Sequence, residues 1–222
     1  MPLDFPSSPT NGQTYENFVY DTSITAWRNQ GSPSGLAGQV VALDNKVGLK
    51  QLIPTAITLA GGTGSITSNG TISFSACTSV AIQGVFSSLY RNYKIILNIT
   101  PSAGGNVNYY LMTGATANTA NVYYNQELRV LDTTVQGAFV GWPTTNGIAA
   151  VGVTPGNIAM DVYAPNISTV STGVMSDANM GGSYYIRKYH NRHGVEAAFD
   201  GINFQASGGS HTGTITVYGY ED

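Results

Sequence analysis

Along the last two thirds of the chain, hydrophobic and polar residues alternate with a period of two. Over 214–220, Ile215, Val217 and Gly219 fall on one face and Thr214, Thr216, Tyr218 and Tyr220 on the other, the pattern of a strand with one face on a core. Ile95-Ile96-Leu97-Asn98-Ile99 is β-branched enough to be a buried central strand. Similar runs predict strands over 72–74, 79–86, 93–99, 106–112, 127–131, 158–163, 184–189, 201–205 and 214–220. Turn clusters divide them, among them Ala60-Gly61-Gly62-Thr63-Gly64, Ser68-Asn69-Gly70, Ser102-Ala103-Gly104-Gly105-Asn106, Thr144-Thr145-Asn146-Gly147 and Ser207-Gly208-Gly209-Ser210. Nine short strands so spaced predict a mainly β fold, an antiparallel sandwich of the jelly-roll kind, over 55–222.

The period changes upstream. Ser32-Pro33 offers an N-cap with proline in the first helical position, and Leu36, Val40, Leu43 and Val47 follow at spacings of four, three and four. A short helix over 33–50 is predicted, ended by Lys50 and Pro54 within a segment 32–54. With Gly35, Gly38 and Gly48 inside it, such a helix is marginal alone. Its apolar seam serves either as a neck where three copies of the chain meet or as a stripe packed on its own domain. The first segment, 1–31, is rich in proline and then aromatic. Pro9-Thr10-Asn11-Gly12 reads as a tight turn, and 15–27 as a hairpin around Asp21-Thr22-Ser23 that brings Tyr20 against Trp27. Thirty residues bury too little surface to stand alone, so this segment reads as an attachment peptide.

Composition narrows the field. Gly, Ser, Thr and Asn make up 88 of 222 residues and charged residues only 9%, which excludes a helical bundle. Fourteen Tyr, seven Phe and two Trp with a net charge of -3 exclude a disordered chain. Nine scattered basic residues give no nucleic-acid footprint. No apolar run is long enough to cross a membrane as a helix, and the first residues carry neither a basic nor an apolar signal region, so synthesis and assembly in the cytoplasm are expected. No charge falls in 51–90 or 133–160; these stretches are expected at subunit contacts or on hydroxyl-coated strands.

Catalytic signatures are missing: no G-x-S-x-G elbow, Walker loop, H-E-x-x-H or dinucleotide fingerprint occurs. Neither cofactor nor metal is expected. Asp161, Glu196 and Asp200 are the carboxylates a hydrolase would use, but a non-enzymatic protein is the expectation. One segment is unusual: Arg187-Lys188-Tyr189-His190-Asn191-Arg192-His193 gathers three of nine basic residues and two of three histidines. It reads as a hairpin tip whose charges are solvated or paired with Glu196 and Asp200, or as a contact for an acidic or sugar ligand through Tyr184, Arg187, Tyr189, His190, Arg192 and His193. Metal binding by His190 and His193 is disfavoured, since residues three apart on a strand point opposite ways. The same alternation predicts that one of each pair Tyr109-Tyr110, Tyr123-Tyr124 and Tyr184-Tyr185 faces outward.

The opening Leu3-Asp4-Phe5-Pro6-Ser7-Ser8-Pro9-Thr10-Asn11-Gly12-Gln13-Thr14-Tyr15, followed by Tyr20-Asp21 and Trp27, resembles the leader of structural proteins of tailed bacteriophages, notably those of cyanobacteria and other marine hosts. The closing Phe199-Asp200-Gly201-Ile202-Asn203-Phe204 and 213–220 are similar to the last strands of phage fibre and head-appendage domains. The resemblance implies a virion structural protein, a short trimeric fibre docked through Phe5, Pro6, Pro9, Tyr15, Tyr20 and Trp27. Its sandwich would face a host-surface glycan, or else decorate the capsid or a tail joint and meet only viral proteins.

Overall fold

The computed structural model describes residues 7–15, 18–23, 26–29, 48–120, 122–131, 134–140, 146–151, 154–180 and 185–220. The chain divides into two compact units, Met1–Val47 and Gly48–Asp222.

In the first unit β1 (Thr14–Tyr15), β2 (Phe18–Asp21) and β3 (Ala26–Asn29) form a three-stranded antiparallel sheet. Tyr20 is the register partner of Trp27, as the hairpin reading requires. The hairpin turn is held by the Asp21 carboxylate, which accepts from the Ser23 amide at 2.8 Å and the Ser23 hydroxyl at 2.6 Å. Upstream, the Gln13 amide donates to Thr10 O at 2.9 Å around Gly12, whose φ of +78° is why glycine stands there.

The helix expected over 33–50, with Leu36, Val40, Leu43 and Val47 on its seam, falls largely outside the described residues. Its last turn is described and is not helical: Leu49–Gln51 is strand β4. Gly48 has a φ of +113°, which no right-handed helix accommodates. β4 instead pairs with the end of the last strand, Tyr218 opposite Gln51 and Tyr220 opposite Leu49, and the Leu52 amide adds a bond to Val217 O at 2.9 Å. An open ladder offers these backbone groups partners that a helix end leaves unmet. No helix occurs among the described residues.

The second unit is all β. After β4 come β5 (Ala56–Ala60), β6 (Thr63–Ile66), β7 (Ile72–Cys77), β8 (Ser79–Gln83), β9 (Asn92–Pro101), β10 (Gly105–Thr113), β11 (Thr116–Ala117) and β12 (Tyr123–Leu131). β13 (Thr134–Val140), β14 (Asn146–Val151), β15 (Gly156–Tyr163), β16 (Gly173–Met180), β17 (Tyr185–His193), β18 (Gly201–Ala206) and β19 (His211–Tyr220) complete it. Each predicted strand is present. A ten-stranded antiparallel sheet runs β13-β12-β17-β16-β15-β9-β19-β7-β6, with β4 beside β19. A six-stranded one runs β11-β10-β18-β8-β5, with β14 on the edge of β10.

The two sheets share one core. On β9, β15 and β19 the residues Ile95, Leu97, Ile158, Met160, Val162, Ile215 and Val217 are all at most 1% exposed. From the smaller sheet Val80, Ile82, Leu111, Ile202 and Phe204 join the same cluster. The charge-free stretch 51–90 supplies Ile72, Phe74, Cys77, Val80, Ile82, Val85 and Phe86 to this core, a physical reason for its lack of charge. Gly213 lets β19 close on β9, since a Cβ there would lie 1.9 Å from Asn98 O.

Leu97→Ala removes a fully buried side chain at the middle of the larger sheet. It should lower unfolding free energy by about 2–5 kcal/mol, read as a shift of the denaturant midpoint at constant slope.

Candidate functional site

The larger sheet is wider than the smaller, and its inner face changes character along its width. Moving from β15 through β16 to β17 and β12, the inward residues pass from Ile158, Met160 and Val162 to Val174, Ser176 and Ala178, and then to Arg187, Tyr189, Asn191 and His193. Opposite β17, the inward residues of β12 are Tyr123, Asn125, Glu127 and Arg129, each in direct register with His193, Asn191, Tyr189 and Arg187 respectively. Strand β14 packs across β12, β15, β16 and β17 at this end.

Here polar residues share the inner face with apolar ones. Leu128 is 47% and Met175 40% exposed on the outer face, while Ser176 is 4% and Asn191 5% exposed on the inner one. On β12 a slip of one residue would bring Leu128 inward in place of Glu127, whereas on β16 Ser176 lies between the buried Val174 and Ala178. The inner charges are partly sheltered: Arg187 Nη1 lies 3.0 Å from Glu127 Oε1, with both side chains less than one-fifth exposed. Arg187 Nη1 also donates to the Tyr189 hydroxyl at 3.2 Å. Arg129 Nε donates to Gln136 Oε1 at 2.8 Å.

From the smaller sheet Tyr109, fully buried on β10, faces this row. Burial pushes its phenol far up, the neighbouring Tyr123 adds to that, and the Asn191 amide opposes it. Neither the Tyr109 hydroxyl nor the Asn191 Oδ1 and Nδ2 atoms has a hydrogen bond of ordinary length and angle. A buried amide and hydroxyl left so are expensive unless a third group satisfies both.

Tyr110 is buried as well as Tyr109, at 7% and 0% exposure, against the alternation expected of adjacent tyrosines. The cause is Tyr123, whose ring sits at the edge of β10. Its hydroxyl accepts from the Leu111 amide at 3.1 Å and donates to Asn118 O at 2.8 Å. Both tyrosine rings reach it edge-on, with centroids 6.0 and 6.4 Å away. Tyr123 and Tyr124 do separate, one buried and the other half-buried; Tyr184 lies outside the described residues.

The segment 187–193 is therefore no hairpin tip. It is the interior strand β17, flanked by β12 and β16, and its residues divide between two faces. Lys188, His190 and Arg192 point outward: Lys188 pairs with Asp177 at 2.7 Å, and Arg192 donates to Ser171 Oγ at 3.1 Å. Tyr189, Asn191 and His193 point inward with Arg187. His190 and His193 thus cannot act together, as their spacing predicted. The pairing expected with Glu196 and Asp200 is replaced by Glu127 and Asp177, because the neighbours of β17 are strands rather than a return loop.

The three carboxylates considered for hydrolysis have separate settings. Asp161 is on the outer face, bound by Lys94 at 3.1 Å and by the Tyr220 hydroxyl at 2.5 Å. Burial alone would lower the Lys94 ammonium, but Asp161 outweighs it and holds it above its ordinary range. Asp200 accepts from the Gly114 amide with both oxygens, at 2.9 and 3.0 Å, and so fixes the β10–β11 turn. Glu196 is exposed. Among the described residues no three His, Cys, Asp or Glu side chains gather as metal ligands would.

No family model and no curated protein matches this chain. Two solved structures show a distant likeness. One is a protein of unknown function, SO2946 from Shewanella oneidensis MR-1, at 10% identity and a TM-score of 0.26 over 78% of this chain and 79% of that one. The other is the marine PL-14 alginate lyase from Aplysia kurodai, at 8% identity and a TM-score of 0.30 over 78% and 85%. Likeness of this degree carries no inference about the chemistry of the present chain.

His193 closes the polar row at its buried end. Its Nδ1 donates to Val195 O at 2.7 Å, which leaves Nε2 to accept from the Asn118 amide at 3.1 Å. The ring meets Tyr123 and Phe199 edge-on, at 4.9 and 4.8 Å. Burial lowers its pKa, the bond to Val195 opposing only in part, and burial also lowers that of His211. Both are neutral in the fold and bind a proton more readily once unfolded, so their contribution is complete above the unfolded value of about 6.5. It is lost as pH falls from there through the depressed folded values. Thermal unfolding should therefore drop between pH 7.5 and 5, and His193→Gln should flatten that slope while lowering the plateau; an equal slope in the variant overturns the assignment.

Proposed function

We propose that this chain is a non-enzymatic virion structural protein of the phage short-fibre or appendage type, whose jelly-roll-like sandwich binds a saccharide at the polar end of its inner face. The polar row on the inner face of the larger sheet carries this reading. Glu127, Arg187 and Asn191 stand on the inner face, the last only 5% exposed, and groups whose burial costs stability are retained where a protein uses them. Tyrosine, asparagine, serine and arginine side by side are the groups that stack on sugar rings and bond their hydroxyls. The phage context rests on the likeness of the leader and of the closing strands. There the first unit, with its Tyr20–Trp27 hairpin, docks on the particle, and several copies give weak sandwich contacts useful avidity.

Full-length protein should be retained by a glycan array or by host cells. Tyr189→Phe, which keeps the ring and removes the hydroxyl bonded by Arg187, should weaken that binding by about tenfold. Retention by neither array nor cells removes the receptor role and leaves decoration of the particle. Deleting 2–28 should abolish incorporation into particles without lowering the unfolding temperature of the sandwich, and particles that carry the truncated chain would refute docking through this segment.

A further inference from the structure

The register of β12 and β17 places Arg129 directly opposite Arg187 on the inner face. Like charges in that relation repel across a ladder, where facing side chains start about 5 Å apart. Glu127 neutralises one of them, through its contact with Arg187 at 3.0 Å. Arg129 is not neutralised: its Nε bonds the neutral Gln136 amide, and it has no acidic partner among the described residues. The patch formed by Glu127, Arg129 and Arg187 therefore keeps one positive charge, in a half-buried setting where screening by salt is weaker than on an open surface. Its neighbours along β17 are the Tyr189 hydroxyl and the 5% exposed Asn191 amide, which lies against the Tyr109 hydroxyl without a hydrogen bond of ordinary length and angle.

We infer that the saccharide is anionic, and that Arg129 reads its charged group while Asn191 bonds an adjoining hydroxyl. This rests on the binding-site reading above and adds the charge of the ligand. A guanidinium fork suits both a carboxylate and a sulfate, so the shared chemistry is an oxyanion on a sugar. The two alternating positions from Arg187 to Asn191 span about 13 Å of strand, so charge and hydroxyl recognition fall on neighbouring parts of one oligosaccharide.

The test titrates full-length protein with oligogalacturonate, sulfated dextran and neutral dextran at low and high salt. Wild type should bind at least one charged chain about tenfold or more tighter than neutral dextran, with the preference shrinking as salt rises. Arg129→Gln should erase most of that preference and Arg129→Lys should retain part of it. Glu127→Gln, which removes the competing carboxylate, should tighten binding of the charged chain several-fold; a merely structural role for this pair predicts no gain. If Glu127→Gln does not fold, the contrast between the two Arg129 variants decides. Whichever charged chain is preferred identifies the oxyanion as carboxylate or sulfate. Equal binding of neutral and charged chains, unchanged in Arg129→Gln, overturns the anionic assignment and leaves the binding module standing. Retention of none of the three, together with a blank glycan array, overturns both.

Discussion

Tyr123 joins the two sheets at the end of the sandwich where the apolar core gives out. Its hydroxyl takes the Leu111 amide of the smaller sheet as a donor and returns a proton to Asn118 O, while its ring lies on β12 of the larger one. Tyr109, Tyr110 and His193 pack against that ring. On the edge of β10, strand β14 ends its pairing at Tyr109 and β11 begins at Met112, so the Leu111 amide between them has no strand partner. A buried amide without a partner is costly, and the phenol meets that need. Losing this contact would leave β10 open at that point and take away one of the two rings against which His193 packs.

The register of β12, β16 and β17 matters because hydrophobic partition alone does not specify it. On β9 and β19 the buried residues are apolar, and burial by itself specifies which way each strand faces. On β12 the reverse orientation would bury Leu128 in place of Glu127, and on β17 both faces carry polar residues. The observed one is held by pairing along nine positions of β12 with β17 and six of β16 with β17, continuous with the strongly specified β15 and β9. The apolar half of the sheet thus imposes alignment on the polar half. The desolvation of Glu127, Arg187 and Asn191 there is the physical basis for reading the inner row as a binding surface.

The sequence made the apolar half legible. Alternation in 214–220 named Ile215 and Val217 as inward, and both are fully buried; in the run 95–99, read as a buried strand, Ile95, Leu97 and Ile99 are at most 3% exposed, while Ile96 is half-buried and Asn98 exposed. The Asn11-Gly12 turn, the Tyr20–Trp27 pairing and the opposed directions of His190 and His193 followed from local rules as well. The polar half was not legible, for the same reason read the other way. Over 187–193 both faces of the strand are polar, so no period of two is visible and the segment resembles a tip. Strand β16, Gly173–Met180, was passed over because its inward residues Val174, Ser176 and Ala178 are small or polar and its one large apolar residue before the end, Met175, faces outward.

What the sequence determined by itself is the all-β class, the strands whose alternation is enforced by burial, and the turns whose glycines permit a positive φ. Tertiary structure alone decided three matters. Leu49–Gln51 became a strand because the edge of β19 was open to it, Tyr110 became buried because Tyr123 stands at the edge of β10, and Arg129 came to face Arg187 because registers set elsewhere in the sheet carried them there. Each depends on a partner distant in the chain, and local periodicity holds no information about such a partner.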